Sequence, residues 1–249
     1  LALLTKEVNP DAILVAGGAH ATTFPREILE ESVFDIVAVG EADFVMRDLL
    51  KTENRRNIKG LVFKENGSIV ETGRAGYIDN LDDLPFPAWQ LYDLKKYNKI
   101  SLSNRKSPPG YLETSRGCPW GCVFCNKNIQ GRKFRPKSPR RLVDEIEYML
   151  KAGFAEIDVL DDTFSTDINR AKAICDEIVK RGLKFPWHPL NGIRVDRVDK
   201  ELFIKMKRAG CYKVSFGIES GNQDVLARID KGIKLQQVRD AVRWAREIG

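Results

Sequence analysis

Apolar positions arrive as short solid runs near the start of this chain and, further on, as helical stripes alternating with strands. Residues 12–16 (AILVA) and 35–39 (DIVAV) are runs of strand length, ending in the glycine-containing loops Gly17-Gly18 and Gly40-Glu41. Between them Pro25–Glu31 suits a short crossover helix, because proline is tolerated in a first helical turn. Strands joined this way pair in parallel, which puts both glycine loops at the carboxyl edge of the sheet, where open α/β folds bind ligands. Two strands alone do not make a stable sheet, so earlier strands are expected ahead of Leu1.

The pattern changes over residues 58–72. IKGLVF and SIVET flank Asn66-Gly67, two residues that tolerate the positive φ of a tight hairpin turn, so a β-hairpin is expected. Leu84-Pro85-Phe86-Pro87 and Pro108-Pro109-Gly110 are stiff, non-helical stretches typical of a connector. From Tyr111 onward helical stripes end in glycine at Gly153, Gly182, Gly210 and Gly249, and strand-like runs follow the first three. Residues 149–162 (MLKAGFAEIDVLDD) and 206–219 (MKRAGCYKVSFGIE) even align, sharing Met, Ala and Gly, then a strand, then an acidic residue. Such alternation predicts a parallel sheet with right-handed crossovers, best read as an incomplete β/α barrel with its chemistry at the C-terminal strand ends. The expected class is α/β. The C-terminal half of a Rossmann-like domain occupies residues 1–50, a connector with the hairpin 51–109, and a partial barrel, cut short at Gly249, 110–249.

Composition adds exclusions rather than identity. With 249 residues, 43% hydrophobic and 31% charged, the chain can bury a real core. No apolar run approaches the ~18 residues of a membrane span, and no signal-peptide layout precedes the first strand, so a cytoplasmic protein is expected. A net charge of +6 is weak evidence for a polyanionic partner, and nucleic acid is not expected. The basic stretch 132–141 (RKFRPKSPRR) reads as a solvated loop leading to an N-cap at Ser138.

Five cysteines change the picture, because three fall within eight positions. Residues 111–115 (YLETS) should form the first barrel strand, and it runs into Arg116-Gly117-Cys118-Pro119-Trp120-Gly121-Cys122-Val123-Phe124-Cys125. The spacing C-x3-C-x2-C thus lies in a glycine-containing loop past a strand end. Thiolates ligate zinc or iron–sulfur clusters, and a structural zinc site normally needs four protein ligands. Three ligands on a four-iron cluster leave one iron open, as catalytic metal sites keep a position for substrate. A zinc site completed by His188, Cys211 or a partner chain is the alternative. Cys175 lies on the apolar stripe of Ala171, Ile174 and Ile178, so it and Cys211 are expected in the core. His188, in a proline-flanked strand, is as fitting for a structural as for a catalytic role.

The cysteine loop, with aromatic Phe124 just before the third cysteine, resembles the signature of the radical S-adenosylmethionine superfamily, and the likeness extends over residues 111–249. The resemblance implies a [4Fe-4S] cluster on Cys118, Cys122 and Cys125, with S-adenosylmethionine chelating the open iron. It further implies S-adenosylmethionine contacts from Phe124, from Asp161 and Asp162 at the second strand end, from Arg194 after the third, and from Glu219 and Ser220 after the fourth. Helix capping and surface ion pairs are the bland reading of those polar residues.

Gly17, Gly18, His20, Gly40 and Glu41, with the hairpin and the text Leu81-Asp82-Asp83-Leu84-Pro85-Phe86-Pro87-Ala88-Trp89, resemble the cobalamin-binding domain and connector that precede many such barrels. The resemblance implies cobalamin at these loops, though not on a lower-ligand histidine, whose motif would lie upstream of Leu1. The implied activity is reductive cleavage of S-adenosylmethionine to a 5′-deoxyadenosyl radical and hydrogen abstraction from a small-molecule substrate, with an electron from a flavodoxin- or ferredoxin-type reductant. Methyl transfer is the outcome with cobalamin. A cobalamin-independent cyclase, a tRNA methylthiotransferase-like enzyme, and a non-catalytic zinc or corrinoid module remain alternatives.

Overall fold

The structure is a computed structural model that describes residues 1–97 and 104–249. It divides into two compact units, residues 1–79 with 126–131 and residues 80–125 with 132–249. Residues 98–103 of the expected connector lie outside the described residues.

In the first unit α1 (Ala2–Val8) and β1 (Val15–Ala16) are followed by α2 (Ala19–Thr23), α3 (Pro25–Glu31), β2 (Ile36–Ala38) and α4 (Asp43–Leu49). The hairpin of β3 (Leu61–Glu65) and β4 (Ser68–Glu71) completes a sheet of order β1-β2-β3-β4. As expected, β1 and β2 are parallel and Asn66 and Gly67 turn the hairpin at positive φ. The hairpin pairs antiparallel with β2, Val37 opposite Val62. Both faces of β2 are covered, which is why its sequence is solidly apolar. Ile36 and Ala38 pack with Val45, Leu61 and Phe63 on one face, and Val37 packs with Leu29 and Val62 on the other.

The second unit contains β5 (Pro109–Leu112), β6 (Ser115–Arg116), β7 (Arg135–Pro136), α5 (Pro139–Ala152) and β8 (Glu156–Val159). There follow α6 (Ile168–Lys180), β9 (Trp187–Pro189), α7 (Lys200–Arg208), α8 (Gln223–Arg228) and α9 (Leu235–Ile248). Strands β5, β8 and β9 form a parallel sheet in that order. Leu112, Ile157, Val159 and Trp187 face a core built from the stripes of α5, α6 and α7, which also takes Cys175 and Cys211. Burial raises both of those thiol pKa values. The register partners Tyr111, Asp158 and His188 alternate with that set and so face the opposite side of the sheet. Side-chain caps at Ser138, Asp167 and Asp199 start α5, α6 and α7, and left-handed Gly153 ends α5.

Three expectations need correction. The strand expected over 111–115 breaks after Leu112, because the amides of Thr114 and Ser115 donate to Asp161 instead of to a neighbouring strand. The fourth strand, expected just ahead of Glu219 and Ser220, meets β9 and its continuation, among the described residues, through isolated bridges of Trp187 to Cys211 and Ile193 to Phe216. Pro189 has no N–H to continue that ladder, and the chain turns at Gly192. Nor is the basic stretch wholly solvated. Arg135 is buried, and Lys137 is buried on Glu145 of α5, with Nζ 2.7 Å from Oε2, while Arg132 and Lys133 remain exposed.

Candidate functional site

The cysteine loop is rooted in a buried carboxylate. Asp161, two residues past the end of β8, accepts from the amides of Thr114 (2.5 Å) and Ser115 (3.0 Å) through Oδ1, and from both their hydroxyls through Oδ2. Burial pushes the Asp161 carboxyl above its ordinary value, opposed by these hydrogen bonds and by the Arg170 charge. Arg170 itself donates to the carbonyls of Thr114 and Lys137. Four donors gathered from adjacent residues fix the direction in which the chain leaves β6 toward Gly117, whose φ of +86° suits glycine.

Along the loop Cys118 is half-buried, Cys122 buried and Cys125 exposed, and none is in a disulfide. The Cys125 amide donates to the Cys122 carbonyl at 3.2 Å, closing a tight turn over the C-x2-C step. Phe124 is exposed beside it. The residues considered for a fourth protein ligand are engaged elsewhere: Cys211 and Cys175 lie in the apolar core, and His188 Nδ1 is 3.0 Å from Asp158 Oδ1.

Other strand-end residues reach the loop's flank. The Arg194 guanidinium lies 4.3 Å from the Trp120 ring centroid, donates to Asp196 at 2.8 Å and to the Lys231 carbonyl at 2.7 Å. Glu219, at a left-handed φ of +70°, holds Lys231 Nζ at 2.8 Å. The Ser220 hydroxyl accepts from the Asn222 amide, and Asp162 is exposed. Trp120, Asp230 and Lys231 were not singled out in the sequence. The last two sit in a charged turn of the kind that is usually solvated, and the burial of Lys231 sets it apart while Asp230 stays exposed.

A second polar cluster lies on the sheet face opposite the core. His188 Nδ1 faces Asp158 and stands 3.3 Å from the Tyr212 hydroxyl, which donates to Glu156 Oε1 at 2.6 Å. Asn104 bridges both carboxylates, and the amides of Arg105 and Lys106 donate to Glu156. Burial holds His188 below its ordinary value and raises Asp158. For Glu156, burial is outweighed by the hydrogen bonds, which keep its pKa low. Glu156 opens β8, so this cluster sits toward the strand starts, whereas the cysteine loop follows strand ends.

In the first unit, a Cβ on Gly18 or Gly40 would meet nothing within 4 Å, so both glycine loops front open space. The Gly40 amide donates to Thr22 Oγ1 at 3.0 Å, tying the second glycine loop to α2, and Glu41 accepts from the Ile78 amide at 3.0 Å. His20 is exposed on α2, its ring 5.4 Å from that of Phe24. A cavity of about 240 Å³ is lined by Thr22, Gly40, Glu41, Arg74, Tyr77 and Asn128. Its far wall comes from the hexapeptide that immediately follows Cys125. A Cβ on Gly131 would fall 2.7 Å from the Tyr77 ring. No local signal in the sequence marks Arg74, Tyr77 or Asn128, which lie far from the glycine loops in the chain.

Residues 112–249 match the radical SAM superfamily. An uncharacterized methyltransferase of Pyrococcus horikoshii is 34% identical over 256 residues, covering 100% of this chain and 54% of its own. Cytidylyl-2-hydroxyethylphosphonate methyltransferase of Streptomyces wedmorensis is 31% identical over 274 residues, covering 97% and 51%. The chain thus spans about half the length of these relatives. Among solved structures, the cobalamin-dependent S-adenosylmethionine radical enzyme OxsB, with aqua-cobalamin and S-adenosylmethionine bound, superposes with a TM-score of 0.78 at 22% identity, covering 98% of this chain and 36% of that one. That likeness bears out the expected fold, a Rossmann-like portion followed by a barrel-like one. With its three-cysteine loop rooted at a strand end of a parallel sheet and more than half its length matched, the chain belongs to the radical SAM superfamily.

Proposed function

We propose that Cys118, Cys122 and Cys125 hold a [4Fe-4S] cluster and that the chain is part of an enzyme that cleaves S-adenosylmethionine reductively. The observation that carries this reading is one loop past a strand end that offers three thiols, none in a disulfide, while Cys175, Cys211 and His188 are committed elsewhere. Such a donor set suits a cluster with one iron left for a substrate. When bound, these groups supply a 5′-deoxyadenosyl radical for hydrogen abstraction from an unactivated carbon. The protein's part is to position and to exclude water. Exposed Phe124 and Asp162 and half-exposed Ser220 are assigned to direct contact with S-adenosylmethionine. Asp161, Arg194 and Glu219 act through the neighbours they hold.

Residues 1–50 are assigned to the second half of a cobalamin-binding domain, with Gly17, Gly18, His20, Gly40 and Glu41 lining the corrinoid site and residues 51–109 leading to the barrel. The open space in front of Gly18 and Gly40 supports that assignment. With cobalamin, methyl transfer to a small molecule is the proposed outcome, in keeping with the methyltransferases of Pyrococcus horikoshii and Streptomyces wedmorensis. A one-electron donor of flavodoxin or ferredoxin type and a cytoplasmic setting complete the proposal. Among the described residues no helix is long and apolar enough to cross a membrane.

The test is anaerobic reconstitution of the full-length protein with iron and sulfide. Electron paramagnetic resonance spectra are recorded before and after S-adenosylmethionine, and 5′-deoxyadenosine is assayed. About four irons per chain and a signal that shifts on addition are expected, and alanine at any of the three cysteines should abolish both. A colourless, zinc-loaded protein, or a signal indifferent to S-adenosylmethionine, would overturn the proposal.

A further inference from the structure

Between Asp161 at the root of the cysteine loop and Cys125 at its end, several of the loop's contacts run to one turn, Ile229–Gly232, which follows α8. The Val123 amide, inside the C-x2-C step, donates to the Ile229 carbonyl at 3.1 Å. A Cβ on Gly121 would lie 1.9 Å from Asp230 Oδ2, and the other atoms nearest to it also belong to Asp230, so this glycine leaves room for the Asp230 carboxylate. Lys231 Nζ lies 5.9 Å from the Phe124 ring centroid. Arg194 joins Trp120 to the same turn, with its guanidinium over the indole and a bond to the Lys231 carbonyl. Trp120, Gly121, Val123 and Phe124 are thus all reached from one turn and its arginine.

The turn is itself built stiffly. The Lys231 amide donates to the Leu226 carbonyl and the Asp230 amide to the Ala227 carbonyl, both at 3.0 Å, the paired bonds of a Schellman cap. That cap places its C′ residue in the left-handed region, which usually calls for glycine, yet Asp230 stands there with a φ of +52°. A side chain kept at such a position has a use for it, and here the side chain seats on Gly121. Lys231 is buried, and its ammonium is held by Glu219, which adopts a left-handed φ of +70°. A Cβ on Gly217 would lie 3.3 Å from both Glu219 Oε1 and Lys231 Nζ, so glycine there makes room for the ion pair. Glu219, a non-glycine residue at positive φ, thus holds the buried ammonium, and Asp230, another, stands next to Lys231 in the turn.

We infer that the turn Ile229–Gly232 is a brace that fixes the conformation of Trp120–Phe124, with Lys231 as its positioning residue through the ion pair to Glu219. The inference deepens the cofactor reading proposed above and rests on it for its consequence, that the loop is shaped before cluster and S-adenosylmethionine arrive. A preorganised site avoids the ordering cost a floppy loop would incur on binding.

The test uses the full-length protein with Lys231→Met, which keeps the stem and removes the charge, and Lys231→Arg as the conservative variant. Glu219 is 38% exposed and can be rehydrated when its partner is lost, so Lys231→Met is expected to fold. Hydrogen exchange of the peptide spanning residues 119–125 reads the brace without any cofactor. Exchange at Val123 at least ten times faster in Lys231→Met, and restored in Lys231→Arg, is expected. In the reconstituted holoprotein Lys231→Met should retain iron on its three cysteines but need about tenfold more S-adenosylmethionine for the spectral shift. Exchange and titration both matching the wild type would overturn the brace. A wild type without a cluster signal, but with the exchange difference intact, would sink the cofactor reading and leave the brace standing.

Discussion

Asp161→Ala should loosen the root of the cysteine loop, and the size of the effect can be worked out from its four hydrogen bonds. The substitution strands the amides of Thr114 and Ser115, whose side chains are themselves buried. Each buried donor left unsatisfied costs ~1–3 kcal/mol, so two amides set a range of ~2–6 kcal/mol. The two hydroxyls can rotate toward other acceptors and are left out of the sum. Against this, removing the side chain relieves the burial of a carboxylate whose pKa burial already raises. The lower part of the range, about 3 kcal/mol, is therefore expected, which is roughly a hundredfold in a local opening equilibrium. Asp161→Asn keeps an oxygen for both amides and should cost under ~1 kcal/mol. Because the loosening is local, hydrogen exchange of the peptide spanning residues 112–118, which reads the opening of that segment, is the appropriate assay. The sign of the pH dependence follows from the raised pKa. The folded group binds its proton more readily than the unfolded one, so its contribution grows as pH falls through the raised value, and Asp161→Asn should lack that dependence. Unchanged protection in Asp161→Ala, or equal losses in the alanine and asparagine variants, would refute the reasoning.

Elsewhere in the second unit, Glu145→Ala leaves Lys137 buried without its carboxylate and should lower stability by ~3 kcal/mol, seen as a lower urea midpoint; an unchanged midpoint would count against the buried pair. Gly210→Ala meets both a φ of +94° and the Phe185 carbonyl oxygen 2.4 Å from the new Cβ, so a loss of at least ~1–2 kcal/mol, or roughly 3–8 °C in Tm, is expected by calorimetry. His188→Gln tests the cluster around Asp158. Since His188 is held below its ordinary 6.5, the unfolded chain binds the proton first, and wild-type stability is lost as pH falls through 6.5 toward the depressed value. The raised Asp158 acts in the opposite sense at lower pH, so the comparison belongs between pH 8 and 5.5. Wild type should weaken across that interval while the variant does not, and parallel urea midpoints would dismiss the assignment.

What could be read from the sequence was what is decided locally. The hairpin at Asn66-Gly67, the crossover Pro25–Glu31 and the glycines closing α5, α6, α7 and α9 each depend on a handful of neighbouring residues, and they stand where the pattern put them. Local spacing also put the three cysteines in one loop past a strand end, where the structure has them. Reading failed where a polar residue's partner lies far along the chain. Arg135 and Lys137 look like a solvated run until β7 folds against β6 and brings Glu145 of α5 over Lys137. The strand expected through Ser115 is interrupted by a carboxylate 46 residues away, and that same carboxylate turns inward while Asp162, beside it, faces out.

The same division runs through the site. The proposed ligand set is written in eight consecutive residues, because that spacing alone gathers three thiols into one loop. Ligand placement is not, because a glycine-containing loop has many conformations of similar energy and must be held in one by something outside it. Here that work falls to Asp161 and to the turn at Lys231, residues that lie beyond the motif and would pass as a strand-end acid and a surface charge. A three-cysteine motif is therefore enough to propose the chemistry of such a loop. It is insufficient to say whether that loop is competent, since competence depends on acceptors and ion pairs that only the folded sheet brings together.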